Sequence, residues 1–235
     1  MMEPFILNRI DERRTRSVGR ILLYALAFFL LTRVVTGLLA GIAMAIYKLG
    51  WGIDAMNRLQ FMGTPDEMAA LGWWALPQLL LAAPLFEECA FRLGLSFRRS
   101  HAAVGSGALT VFFAVHLLRL AGAGQSMWWG VLPGVVVALA LWCLTTDHFW
   151  MARRERWLRP TMWVSAILFG AVHLFAMPGL TWALLPMALI MVLMLALSGC
   201  VLVYLRVNLG FWWAVGAHAL INLPGALMLL RQLLG

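Results

Sequence analysis

Two adjacent carboxylates, Glu87 and Glu88, are followed by Arg92. Glu88 and Arg92 stand four residues apart, so on a helix they meet on one face. Glu87 is turned from them by about 100°. The pair can neutralise itself and leave Glu87 as an acid or base. His218 and Asn222 are also four apart, in Gly216-Ala217-His218-Ala219-Leu220-Ile221-Asn222. On one helix face they aim two hydrogen-bond donors at one point, which suits the oxyanion of a tetrahedral intermediate. His116 and His173 are the other imidazoles within apolar runs. A carboxylate and an imidazole facing those donors could together activate water. The set reads as a peptide hydrolase. A buried salt bridge serving only helix packing would need one Glu and one Arg, and the second glutamate is surplus to it.

The elements that must position these residues lie in a bilayer. Of 235 residues, 63% are hydrophobic and 12% charged, where soluble domains carry about 25% charged residues. The apolar runs approach 20 residues, the length of a transmembrane helix rather than of a barrel strand. The composition predicts an all-α, polytopic transmembrane helical bundle of about seven spans, six to eight. The spans are expected near 21–47, 70–97, 104–120, 128–149, 160–176, 182–205 and 211–230. Trp pairs at Trp73–Trp74, Trp128–Trp129 and Trp212–Trp213 fall near span ends, as in an aromatic belt.

Charge inside the hydrocarbon costs roughly 2.5–3.5 kcal/mol near a helix centre and usually marks function. Glu87 and Glu88 are the only carboxylates expected within a span, and Arg92 offers a partner. At 1.5 Å per residue Glu87 lies about 16 Å deep and His173 about 19 Å. His218, Asn222 and His116 also fall in the middle of a core about 30 Å thick, so the polar groups can converge. His101 and His148 sit at span ends and read as solvated. Cys89, Cys143 and Cys200 match no metal spacing and read as small buried packing residues.

The +8 net charge is concentrated in Arg9, Arg13, Arg14, Arg16 and Arg20, and in Arg153, Arg154, Arg156 and Arg159. No nucleic-acid motif accompanies these groups. They read as cytoplasmic loops obeying the positive-inside rule. With the N-terminus inside, twelve basic residues, Arg206 among them, fall on the inner side and four on the outer. The basic leader and the long apolar stretch behind it, with no A-x-A site, predict a signal anchor. Three segments are expected: a basic cytoplasmic segment over 1–20, the first span and an external loop over 21–69, and the catalytic domain over 70–235.

The motif Glu87-Glu88-Cys89-Ala90-Phe91-Arg92 resembles the EExxxR motif of the CAAX-protease and bacteriocin-processing family, the CPBP or Abi intramembrane glutamic proteases. Phe169-Gly170-Ala171-Val172-His173 resembles its FxxxH motif, and His218-Ala219-Leu220-Ile221-Asn222 its HxxxN motif. Phe112-Phe113-Ala114-Val115-His116 also fits FxxxH and stays open as the alternative. The flanks favour His173, while the long gap from Arg92 to Phe169 implies an inserted helical pair. The resemblance covers roughly 70–235. It implies that Glu87 with His173 activates water, that His218 and Asn222 hold the oxyanion, and that Glu88 and Arg92 support the glutamate helix. Phe169 would shape the pocket beside His173.

The expected activity is therefore an intramembrane endopeptidase acting on a membrane-associated peptide or protein. No cofactor and no metal are expected, since no H-E-x-x-H pair is present. The alternatives are a metal-dependent membrane protease, a non-catalytic immunity or scaffold protein of the same family, and a transporter using the glutamates as a proton relay. A transporter should show two repeated halves, and the sequence shows no repeat. The expected partners are the bilayer and a membrane substrate, with no nucleic acid. No eukaryotic feature such as a retention tail is present, so a bacterial or archaeal cytoplasmic membrane is the expected location.

Overall fold

The computed structural model describes residues 17–59, 72–120 and 127–234, the side chains of 119, 120, 127 and 128 excepted. The N-terminal arginines before Ser17, residues 60 to 71 with the start of the second expected span, and the side chains of Arg119 and Trp128 lie outside the described residues.

Eight helices carry the described chain: α1 (Val18–Trp51), α2 (Ala55–Leu59), α3 (Ala83–Arg92), α4 (Arg99–Leu120), α5 (Met127–Leu144), α6 (Asp147–Ala171), α7 (Leu185–Asn208) and α8 (Phe211–Leu234). Among them α1, α4, α6, α7 and α8 are long and apolar enough to cross a membrane. The shorter apolar α5 and the rod built around α3 bring the total to about seven spans, so the protein is an all-α polytopic transmembrane bundle. Exposed Leu23, Leu30, Leu31, Val34, Leu38 and Ile42 on α1 form an apolar face of the kind that lipid covers. At 34 residues, α1 is about 51 Å long and exceeds the hydrocarbon core.

α7 sits at the centre, packed against α1, α6 and α8. Gly170 lets α6 approach it: a Cβ there would lie 2.5 Å from Val192 O and 2.7 Å from Ala196 N. Small residues at such crossings let backbones pack closely where no hydrophobic effect drives helices together. α4 and α5 form a hairpin that matches the inserted pair, with α4 also against α3. A Cβ at Gly105 of α4 would lie 3.1 Å from Cys89 O and 3.2 Å from Gly94 N. Gly210, at φ 119, supplies the left-handed turn between α7 and α8 that side chains avoid.

Three expectations change. The fourth span ends at Leu144, and the chain re-enters helix at Asp147 rather than at 160. Thr146 caps that helix by accepting from Phe149 N at 3.1 Å, and α6 continues through Pro160. Arg153, Arg154, Arg156 and Arg159 therefore lie on a helical extension, not a loop, with Arg154 half-buried and the other three exposed. Arg206, counted among the loop cations, is buried in α7 at 1% exposure. Of the cysteines, Cys143 is exposed and the other two half-buried.

Replacing Gly170 by Val forces α6 and α7 apart. We expect a loss of about 1–3 kcal/mol, typical of overpacking, read as a lower SDS-unfolding free energy in mixed micelles. Val at exposed Gly37 should leave that value within about 0.5 kcal/mol.

Candidate active site

The second expected span is one rod of changing pitch. A 3-10 turn (Gly72–Trp74) and one α turn (Ala75–Pro77) lead into a π turn (Gln78–Ala82). The α-helical α3 follows, and then a 3-10 turn (Leu93–Ser96). Pro84 explains the π turn. Its ring clashes with the carbonyl four residues back, and single π turns commonly absorb such a clash. The ladder shifts by one, and Ala83 N reaches back to Gln78 O. In that register the donor for Leu79 O would be residue 84, a proline without an N–H. Asn222 on α8 supplies the missing donor, its Nδ2 lying 3.0 Å from Leu79 O.

One α turn further on stand the glutamates. Glu88 and Arg92 are fully buried and joined at 2.8 Å, Arg92 Nη1 donating to Glu88 Oε1. The same oxygen accepts from His218 Nδ1 at 2.9 Å. An ionised, arginine-paired carboxylate only accepts, so His218 carries its proton at Nδ1 and turns Nε2 the other way. Nε2 faces Glu87 Oε2 at 3.7 Å, too far for a hydrogen bond. Glu87 is 17% exposed at its side chain, and its Oε2 has no hydrogen-bond partner among the described residues. The neighbouring glutamates thus differ at one oxygen: Glu88 Oε1 accepts from two donors, while Glu88 Oε2, like Glu87 Oε2, is buried with no hydrogen-bond partner among the described residues.

His173 lies on the 3-10 turn Val172–Ala176 that ends α6. Its Nδ1 donates to Phe169 O at 2.6 Å, which leaves Nε2 as the acceptor. Phe169 packs edge-on against His173 and His218, with centroids 5.0 and 5.5 Å apart, and Arg92 lies over its face at 4.1 Å. Glu87 and His218 both act on His173 electrostatically. Helices α3, α6 and α8 therefore bring Glu87, Glu88, Arg92, Phe169, His173 and His218 into one cluster, and Asn222 braces its upper end.

The alternative motif stands one layer outward. His116 donates from Nδ1 to Phe112 O at 2.7 Å and stacks on Phe112 at 4.3 Å. Phe112 packs against Phe91, and His116 neighbours Phe175. No hydrogen bond or ion pair joins His116 to either glutamate among the described residues. Among those residues, no group of three or more His, Cys, Asp or Glu could hold a metal ion.

Sequence reasoning missed Arg206. Its Nε donates to Arg92 O at 3.3 Å, at the end of α3, where carbonyls lack helical partners and a cation is favoured. The signal was present: an arginine inside the apolar run Val201–Val207. His101, read as solvated, is 3% exposed, and its Nδ1 lies 2.6 Å from Ser96 Oγ. His148 is exposed, as expected.

A polytopic helical bundle enclosing a carboxylate–imidazole–arginine cluster defines a membrane-embedded protein with a buried polar centre. Residues 69–224 match the family described as type II CAAX prenyl endopeptidase Rce1-like, and the chain belongs to that family. The matched region runs from before the π turn to just past Asn222, leaving α1 outside. No curated protein and no solved structure matches the chain.

Two outcomes test these contacts. Glu88→Gln or Arg92→Met alone leaves a buried charge unpaired and should cost about 3–5 kcal/mol. The double variant should recover part of that loss in SDS unfolding, and equal losses for all three would contradict the pairing. Asn222→Leu strands Leu79 O at about 1–3 kcal/mol. Adding Pro84→Ala restores the backbone donor and should return most of that stability.

Proposed function

We propose that the protein is an intramembrane glutamic endopeptidase that hydrolyses a peptide bond of a membrane-associated peptide or protein. The observation that carries this is the division of labour between adjacent glutamates. Glu88 Oε1 is held by both Arg92 and His218, whereas Glu87 Oε2 faces His218 Nε2 only at 3.7 Å and its side chain is 17% exposed.

In this reading the nucleophilic water lies between Glu87 Oε2 and His173 Nε2. Glu87 takes its proton as the water oxygen bonds to the scissile carbonyl carbon. The tetrahedral oxyanion is stabilised by Asn222, whose Nδ2 has two hydrogens and spends one on Leu79 O. His218 Nε2 joins it once its side chain and that of Glu87 close the 3.7 Å gap to hydrogen-bond reach and Glu87 passes its proton on. The C–N bond then breaks, and the leaving amine takes a proton from the same groups. Glu88 and Arg92 are positioning residues: they fix the His218 tautomer and ring. Phe169 walls the pocket, and the catalytic domain is read as 70–235.

Orientation with the N-terminus inside belongs to this proposal. Moving Arg206 into the protein interior leaves eleven inner basic residues against four outer ones, so the positive-inside bias holds.

Purified full-length protein should cleave members of a fluorogenic peptide library, with or without a chelator. Glu87→Gln should lower kcat/KM by at least about 100-fold while leaving SDS stability within about 0.5 kcal/mol. His173→Ala should fall comparably and His116→Ala by less than about fivefold. A large loss at His116 with none at His173 would move the second motif to α4. Loss on chelation would favour the metal-dependent alternative.

A further inference from the structure

A cavity of about 210 Å³ has Phe91 in its wall, and the Phe91 ring packs edge-on against Phe169 of the cluster at 5.5 Å. The end of α3, the 3-10 turn after it, α4 and α6 line it as a half-open pocket, and its walls include Phe91, Gly94, Ser106, Leu109, Val164 and Leu168. It continues the site along the glutamate helix. Phe91 follows Glu87 by four residues on α3 and shares its face, and Gly94 lies on the 3-10 turn that follows. The opposite wall is tied to the same centre. Leu168 directly precedes Phe169, the ring that packs on His173 and His218. Ser165 Oγ donates to Phe91 O at 2.7 Å, fixing α6 against α3. The cavity therefore holds a constant position relative to Glu87.

Its size and lining define an occupant. An apolar cavity of about 150 Å³ accommodates benzene, so this one suits a single branched or aromatic side chain. It falls short of the roughly 300–1,000 Å³ that encloses a whole small-molecule ligand. No charged residue lines it, so a charged side chain entering would lose its hydration without a partner. A Cβ added at Gly94 would meet nothing within 4 Å, so the glycine leaves that wall open.

We propose that this cavity is the specificity pocket for one large apolar side chain of the substrate, next to the scissile bond. The proposal rests on the endopeptidase reading. Gly94 and Leu109 set its depth: Gly94→Val shallows the pocket and Leu109→Ala deepens it, and neither touches the acid–base cluster. The rival occupant is a lipid acyl chain.

The test uses full-length protein in nanodiscs and two photoactivatable probes. One is a set of apolar peptides with a diazirine-bearing leucine at successive positions. The other is a phospholipid with a diazirine in its acyl chain. Glu87→Gln is the background, so that peptides stay intact, and adducts are mapped by mass spectrometry. The pocket reading expects one peptide position to label the α4 and α6 walls near Leu109 and Leu168. Gly94→Val should cut that labelling about tenfold, and Leu109→Ala should preserve it. With Glu87 intact, Gly94→Val should shift the Phe-to-Ala ratio of kcat/KM at that position about tenfold toward Ala, and Leu109→Ala should shift it toward Phe. Unchanged preference in both variants with cleavage retained overturns the pocket, as does labelling of those walls by the lipid probe alone. Position-specific peptide labelling without hydrolysis by the wild type supports the pocket as a peptide site and overturns the endopeptidase reading instead.

Discussion

The structure depends on a charge cluster that cannot reach water. Glu88 and Arg92 are fully buried within a membrane bundle, where each alone would cost several kcal/mol. They are tolerable because each neutralises the other and because His218 adds a further donor to Glu88. That requirement brings α8 against α3. The Phe169 ring under the guanidinium brings α6 to the same point, and Arg206 ties in α7 through the carbonyl end of α3. Four helices thus meet around one ion pair, and the catalytic geometry proposed above follows from that convergence.

The backbone of the glutamate rod shows how a local defect becomes a tertiary contact. Proline inside a membrane helix removes a donor that lipid cannot replace. Here the π turn moves the deficit to Leu79 O, and a side chain from another helix fills it. Asn222 therefore does structural service with one hydrogen of its amide, and this backbone role is independent of the oxyanion role proposed above.

Close packing without a hydrophobic drive sets the remaining constraints. Glycines at 105 and 170 let α4 and α6 approach their neighbours to backbone distance, and Gly199 places α7 beside Ala166 and the Arg92 guanidinium. The cavity under Phe91 is what remains where such contacts stop short, between the end of α3 and the walls of α4 and α6.

Composition and run length alone determined that the chain is a helical membrane bundle, because 63% apolar residues admit few other folds. Helical spacing alone paired Glu88 with Arg92, since four residues make one turn. Spacing could not tell which imidazole approaches Glu87: His116 and His173 share a motif and a depth, and only the packing of Phe169 against His218 distinguishes their surroundings. The apolar run around Arg206 flagged that residue, but spacing could not name its partner, the Arg92 carbonyl at the end of another helix. The basic stretch after Asp147 read as a loop because charge masked its helicity, whereas the Thr146 cap and the continuous hydrogen-bond ladder carry it into α6. Residue types specify which partners each group needs, and the tertiary structure decides which of them comes within reach.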